Sequence, residues 1–243
     1  MKTLFDKTTL AGIEMKNRFV RSATWERKAD ESGHMTGELM KVYEDLADGG
    51  TAAIITGYAF VIKEEQPNAR MMGIYDDSFI DEYRKLTDMV HSRGSRIILQ
   101  TVYGGAFTWH NTGERVIWGP SAVPNKLSNI IPKEMTGDDI KTLVTAFGDA
   151  ALRAKISGFD GVEIHGAHGY MLNTFLAPYF NRRSDEYGGS LENRSRIFME
   201  IIDDVREKAG KDFPVIIKLN CSDFMSDKGF TFEECLSLCR MFE

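Results

Sequence analysis

Cysteine and proline are scarce in this sequence: three Cys (Cys221, Cys235, Cys239) and six Pro among 243 residues. An odd number of late thiols cannot build a disulfide framework, which excludes a small stapled secreted domain and suits a reducing, cytoplasmic setting. Long apolar runs are missing as well. The longest, Ala52 to Ile62, is too short to span a bilayer, so no membrane-crossing helix is expected. The opening MKTLFDKTTLAG is broken by Asp6 and Lys7 and does not read as a signal peptide. No block of Lys and Arg occurs, and the net charge of −6 argues against a nucleic-acid or anionic-membrane partner. No G-x-G-x-x-G follows a strand pattern, which excludes a Rossmann dinucleotide domain. What is present, 42% hydrophobic and 27% charged residues, is the composition of a soluble globular chain long enough for one barrel-sized domain.

Taken in order, strand and helix patterns alternate without a linker or repeat, the signature of a parallel α/β domain. Thr8 to Lys16 reads as a hairpin around Gly12, placed to plug the bottom of a barrel. Strands are expected at Asn17–Thr24, Thr51–Gly57, Ser95–Thr101, Asp160–Ile164 and Pro214–Leu219. Helices are expected to start at Thr36, at Ser78 with Asp81, at Thr136 with Asp139, at Ser190 and at Thr231 with Glu234, each a side-chain cap followed by an apolar stripe. Ile140, Leu143, Val144, Phe147 and Ala151 form one such stripe and are assigned to the core. Cys235 and Cys239 are read as two core-facing thiols on one helix face. Val102 to Met135 is long, irregular and rich in Gly and aromatics, a length usual only for lids and binding walls.

The most informative stretch is FDGVEIHGAHGY (159–170), followed by NRRSDEYGGSLENR (181–194). It reads as a short buried strand whose C-terminal end carries His165, His168 and Tyr170, where parallel barrels build their active sites. With NRFVRSAT (17–24) and VIIKL (215–219), these motifs resemble the Old Yellow Enzyme family, FMN-dependent ene-reductases on a (β/α)8 TIM barrel, along almost the whole chain. The resemblance implies an NAD(P)H:flavin oxidoreductase that binds FMN, takes NADH or NADPH as reductant, and reduces a small-molecule substrate with an activated alkene. With no Rossmann domain, the nicotinamide must use the same flavin face as the substrate, in alternating half-reactions.

By the same resemblance, His165 and His168 hold the substrate carbonyl, and Tyr170 gives a proton to the α-carbon. Ser22, Ala23 and Thr24 line the flavin, and Gly57 lets a flat cofactor approach the backbone. Gln100 offers an amide to the pyrimidine edge, and Lys218 a cation near N1. The family usually has Arg at this last position, and Lys acts there as a point charge and not as a bidentate fork. Trp25 falls where relatives often carry Cys or Thr. The Asn181–Arg194 segment is read as structure, anchoring a long loop and capping a helix. Residue types alone leave His165 and His168 open to a second reading, a metal pair in a barrel hydrolase, although no third ligand is evident and no metal is expected.

Five strands are counted where a (β/α)8 barrel needs eight. Three more units of about 30 residues would add roughly a hundred residues, including the loops after strands 7 and 8 that commonly grip a phosphate. Residues 1–243 are therefore expected to be a single barrel domain truncated after about the fifth βα unit, with its C-terminal units missing. Alternatives are pairing of the open edges with a second copy, as a homo-oligomer, or an inactive assembly module that has lost flavin binding.

Overall fold

The computed structural model describes residues 2–113, 115–225 and 228–242. In chain order the elements are β1 (Thr8–Leu10), β2 (Ile13–Met15), β3 (Val20–Arg21), α1 (Gly37–Asp48), β4 (Ala53–Ile55), β5 (Ala59–Phe60), β6 (Met72–Gly73), α2 (Ile80–Ser92), β7 (Arg96–Val102), β8 (Trp118–Gly119), β9 (Lys133–Glu134), α3 (Gly137–Ile156), β10 (Gly161–Gly166), α4 (Met171–Leu176), α5 (Leu191–Ala209), β11 (Val215–Leu219) and α6 (Phe232–Phe242). Five strands form one parallel path in the order β3-β4-β7-β10-β11. The sheet ends at β3 and β11, so it is a half-barrel open along one side. No helix among the described residues is long and apolar enough to cross a membrane.

The two faces of the strands do different work. Ile97, Leu99, Val162 and Ile164 join the large core under the helices, with Tyr43, Phe79, Tyr83, Phe147, Phe175 and Phe198 all essentially inaccessible to solvent. Each ring of that size contributes about 1.5–3 kcal/mol by leaving water. The alternate residues Ala53, Ile55, Ile98 and Ile216 face the concave side and pack against Ile13 and Met15 of the β1–β2 hairpin. The hairpin thus closes the bottom, as its position in the sequence suggested. Its turn residues Ala11 and Gly12 have φ of 48° and 80°, the positive values that a two-residue hairpin of matching twist requires.

Register then builds the site. In a parallel pair, residues in register point to the same side. Gln100 lies beside Glu163, and His165 beside Lys218, all toward the C-terminal end of the concave face.

Most helix starts follow their caps. Thr36 and Ser190 each accept a backbone N–H of the first turn, and Thr136 with Asp139 makes a reciprocal box. Thr231 and Glu234 do the same for α6. Ser78 does not start α2: Asp76 caps a short 3-10 turn at 77–79 that runs into it. The stripe on α3 is core, as expected. Cys235 is buried but Cys239 is exposed, because a four-residue step overshoots one helical turn and α6 buries only a narrow face. The 102–135 segment contains a short parallel pair, β8–β9, and α4 follows the His/His/Tyr loop without a side-chain cap. The first barrel strand pairs only over Val20 and Arg21, so Ser22, Ala23 and Thr24 lie beyond the ladder.

Candidate active site

The strand ends of β7, β10 and β11 and the segment after β3 are joined by one polar chain. Gln100 Nε2 donates to Glu163 Oε1, and Lys218 Nζ stands 3.8 Å from that same oxygen. Lys218 Nζ also donates to Ser22 Oγ at 3.2 Å, a contact between residues 196 positions apart that links the first strand to the fifth across the mouth. Among the described residues nothing donates to Gln100 Oε1. Burial raises the Glu163 carboxyl above its usual range, against the opposing pull of Lys218 and Gln100.

Above this floor sits the loop after β10. The His165 and His168 ring centroids are 4.9 Å apart, and those of His165 and Tyr170 are 5.1 Å apart at 90°. His165 is almost fully buried, and burial first, then the neighbouring His168 and Lys218, drive its pKa down to about 3. The ring is therefore neutral. Its Nδ1 accepts the Ala167 N–H at 3.3 Å, which assigns the remaining proton to Nε2 and makes that nitrogen a donor. His168 is also shifted down, by burial and by Lys218. Its φ of 62° is unusual for a residue with a side chain, and such strain persists only where neighbours over-determine it. Here the His168 N–H donates to Asn220 Oδ1 and the Gly169 N–H to Asn173 Oδ1, at 3.1 and 2.8 Å. Asn220 and Asn173 are both tied to Asp223.

Tyr170 is buried, and its hydroxyl accepts from Asn68 Nδ2 at 3.3 Å. A cavity of about 690 Å³ opens beside His168, walled by Phe107, Leu127, Phe180 and Phe224. His165 and Tyr170 do not line it. Both are buried, and Tyr170 packs with Phe60, Met71 and Val102.

Of the residues singled out in the sequence, Lys218 meets Ser22 directly, lies in register with His165 and is linked to Gln100 through Glu163, with His168 and Tyr170 edge-to-face against His165. Ala23 packs against the inner apolar cluster, and Thr24 is exposed next to Ser22. Gly57 stands apart. A Cβ there would lie 2.6 Å from Glu26 Oε2 and 2.7 Å from the Thr24 carbonyl, and its N–H donates to Tyr43 Oη. The close approach is thus made by the protein's own chain. Trp25 is exposed, its indole N–H donating to the Ala69 carbonyl at 3.2 Å. The Asn181–Arg194 segment is structural: Asn181 donates to the Phe175 and Tyr187 carbonyls, and Arg183 to those of Pro120 and Met135.

Glu163, Tyr58 and Asn68 were not singled out from the sequence. Glu163 carried a signal, a carboxylate inside a strand buried on both faces. Tyr58 and Asn68 carried none, because they sit in aperiodic chain. No three His, Cys, Asp or Glu side chains among the described residues are grouped so as to hold a metal ion, and His165 and His168 gain no third ligand.

The described residues form a parallel half-barrel with amide, ammonium, imidazole and phenol side chains gathered at its strand ends. Over residues 3–242 the sequence matches the family described as NADH:flavin oxidoreductase / NADH oxidase, and the chain belongs to it. It is 40% identical over 222 residues to an NADPH dehydrogenase of Geobacillus sp. (strain WCH70), covering 91% of this chain and 64% of that protein. It is 36% identical over 236 residues to a cinnamate reductase of Clostridium sporogenes, covering 93% of this chain and 35% of that one. Among solved structures, Old Yellow Enzyme from Pichia sp. AKU4542 superposes with a TM-score of 0.82 at 30% identity, over 89% of this chain and 59% of that chain. The chain thus spans less than two thirds of the length of each of these relatives.

Proposed function

We propose that this chain carries the substrate side and the ring-binding part of an FMN-dependent oxidoreductase that reduces activated C=C bonds with NADH or NADPH. The observation that carries the reading is the continuous contact chain Gln100–Glu163–Lys218–Ser22 with the His165, His168 and Tyr170 rings packed beside it. These residues fit a flavin ring: Gln100 keeps its amide oxygen and one N–H for the pyrimidine edge, and Lys218 places a cation at the same mouth. Ser22 and Thr24 would add hydroxyls from the first strand. When bound, FMN supplies the hydride that the alkene carbon takes up.

The protein residues supply the rest. The neutral His165, with Nε2–H as donor, offers a hydrogen bond to a substrate carbonyl, and His168 offers a second at the mouth of the adjoining cavity. Donation to that oxygen polarises the conjugated system and stabilises negative charge developing on it. Tyr170, kept protonated by burial, releases its proton to the α-carbon as general acid. The family membership and the name of the Clostridium relative support an enoate or enone as substrate class.

The test is Tyr170→Phe in the flavin-loaded full-length protein. Reduction of the flavin by NADPH should keep its wild-type rate, and reduction of 2-cyclohexen-1-one should slow by about a hundredfold or more. Equal loss in both half-reactions would remove Tyr170 from the proton-donor role.

A further inference from the structure

The 58–68 segment and the start of the 102–135 loop are clamped together next to Tyr170. The Gly104 N–H donates to both Glu65 oxygens at 3.1 Å, and Thr108 Oγ1 and the Trp109 N–H donate to the Pro67 carbonyl at 2.9 and 3.0 Å. Arg115 Nη1 lies 3.1 Å from Glu65 Oε1 and completes the clamp. The arrangement leaves the buried Asn68 amide between two phenols: Nδ2 donates to Tyr58 Oη at 3.0 Å and to Tyr170 Oη at 3.3 Å. The two rings cross at 67° with centroids 5.8 Å apart.

An amide nitrogen donates and cannot accept. Each phenol oxygen therefore spends one lone pair on Asn68 Nδ2, and that nitrogen takes neither hydroxyl proton. Tyr170 is only 7% exposed and Tyr58 is half-buried, so the amide's two contacts lie inside the fold. Tyr58 and Asn68 also both favour the phenolate form of Tyr170, working against its burial.

We propose that Tyr58 and Asn68 act through Tyr170 as positioning residues: Asn68 fixes the phenol for proton donation, and Tyr58 fixes Asn68 by accepting from the same amide nitrogen. The proposal rests on the reading of Tyr170 as the proton donor. In that step the Tyr170 O–H bond breaks and a C–H bond forms at the substrate α-carbon. No electrons move in the proton transfer.

The experiment compares wild type, Tyr58→Phe, Asn68→Leu and Tyr170→Phe as full-length flavin-loaded proteins, with 2-cyclohexen-1-one as probe. Tyr58→Phe and Asn68→Leu should each slow enone reduction about tenfold, the loss expected when one hydrogen bond to a charged oxygen goes. Flavin reduction by NADPH should be unchanged in both. The alkaline limb of the pH profile should move to higher pH while the plateau falls, a pairing that loosened packing alone does not produce. An independent readout is the Tyr170 ring resonance in isotope-labelled tyrosine NMR of the cofactor-free protein, identified by its loss in Tyr170→Phe; it should shift in both other variants. If Tyr58→Phe and Asn68→Leu keep the wild-type pH profile and resonance while Tyr170→Phe is slow, the positioning role is wrong and the proton-donor reading stands. If Tyr170→Phe is itself unimpaired, both fall.

Discussion

Replacing His165 by Asn should remove a large part of the protein's sensitivity to mild acid. The ring's pKa is 6.5 in an exposed chain and is driven down to about 3 in the fold, chiefly by burial. Because the folded value is depressed, the unfolded chain binds a proton between these limits that the folded chain refuses. The contribution of a neutral His165 is therefore complete above about pH 6.5 and is lost as the pH falls toward 3. Linkage sets the loss between pH 7.5 and pH 5 at about 2 kcal/mol, equivalent to about 4–8 °C in Tm for a chain of this size. Glu65, pushed up to about 7 by burial, acts in the opposite direction but equally in both proteins. Urea denaturation of wild type and His165→Asn at the two pH values isolates the His165 share. Wild type should lose about 2 kcal/mol more than the variant; equal losses would show that the imidazole is not held neutral by burial.

Three other outcomes follow from the same geometry. Gly57→Ala forces a methyl against the Thr24 carbonyl and the Glu26 carboxylate, and should destabilise the fold by about 1–3 kcal/mol in urea denaturation. Thr136→Ala removes the reciprocal cap of α3 and should cost about 1 kcal/mol by the same assay. Lys218→Met should lower the reduction potential of bound flavin, read by equilibration with a redox dye, since it removes the cation at the mouth; an unchanged potential would place Lys218 in a purely structural role.

The strand count and most helix starts were legible because they depend on local patterns: apolar runs bounded by Gly and Pro, and caps at Thr36, Thr136, Ser190 and Thr231. The exceptions are just as local. Asp76 outcompeted Ser78 because it sits where a 3-10 turn could precede α2. The neighbours of strand-end residues follow from register, as with Gln100 beside Glu163 and Lys218 beside His165. At Gly57 the small residue records a close approach, and in the fold Glu26 and Thr24 lie where a Cβ would stand. Asn68 meets Tyr170 only through tertiary clamping across 102 positions, which no periodicity encodes.

The most direct test of the account is a titration of flavin-loaded full-length protein with a phenol such as 4-hydroxybenzaldehyde, followed by long-wavelength charge-transfer absorbance. Wild type should develop the band, and the His165→Ala/His168→Ala double variant should bind the phenol far more weakly while keeping its flavin. A variant that binds the phenol as tightly as wild type would show that the two imidazoles do not hold the acceptor over the flavin.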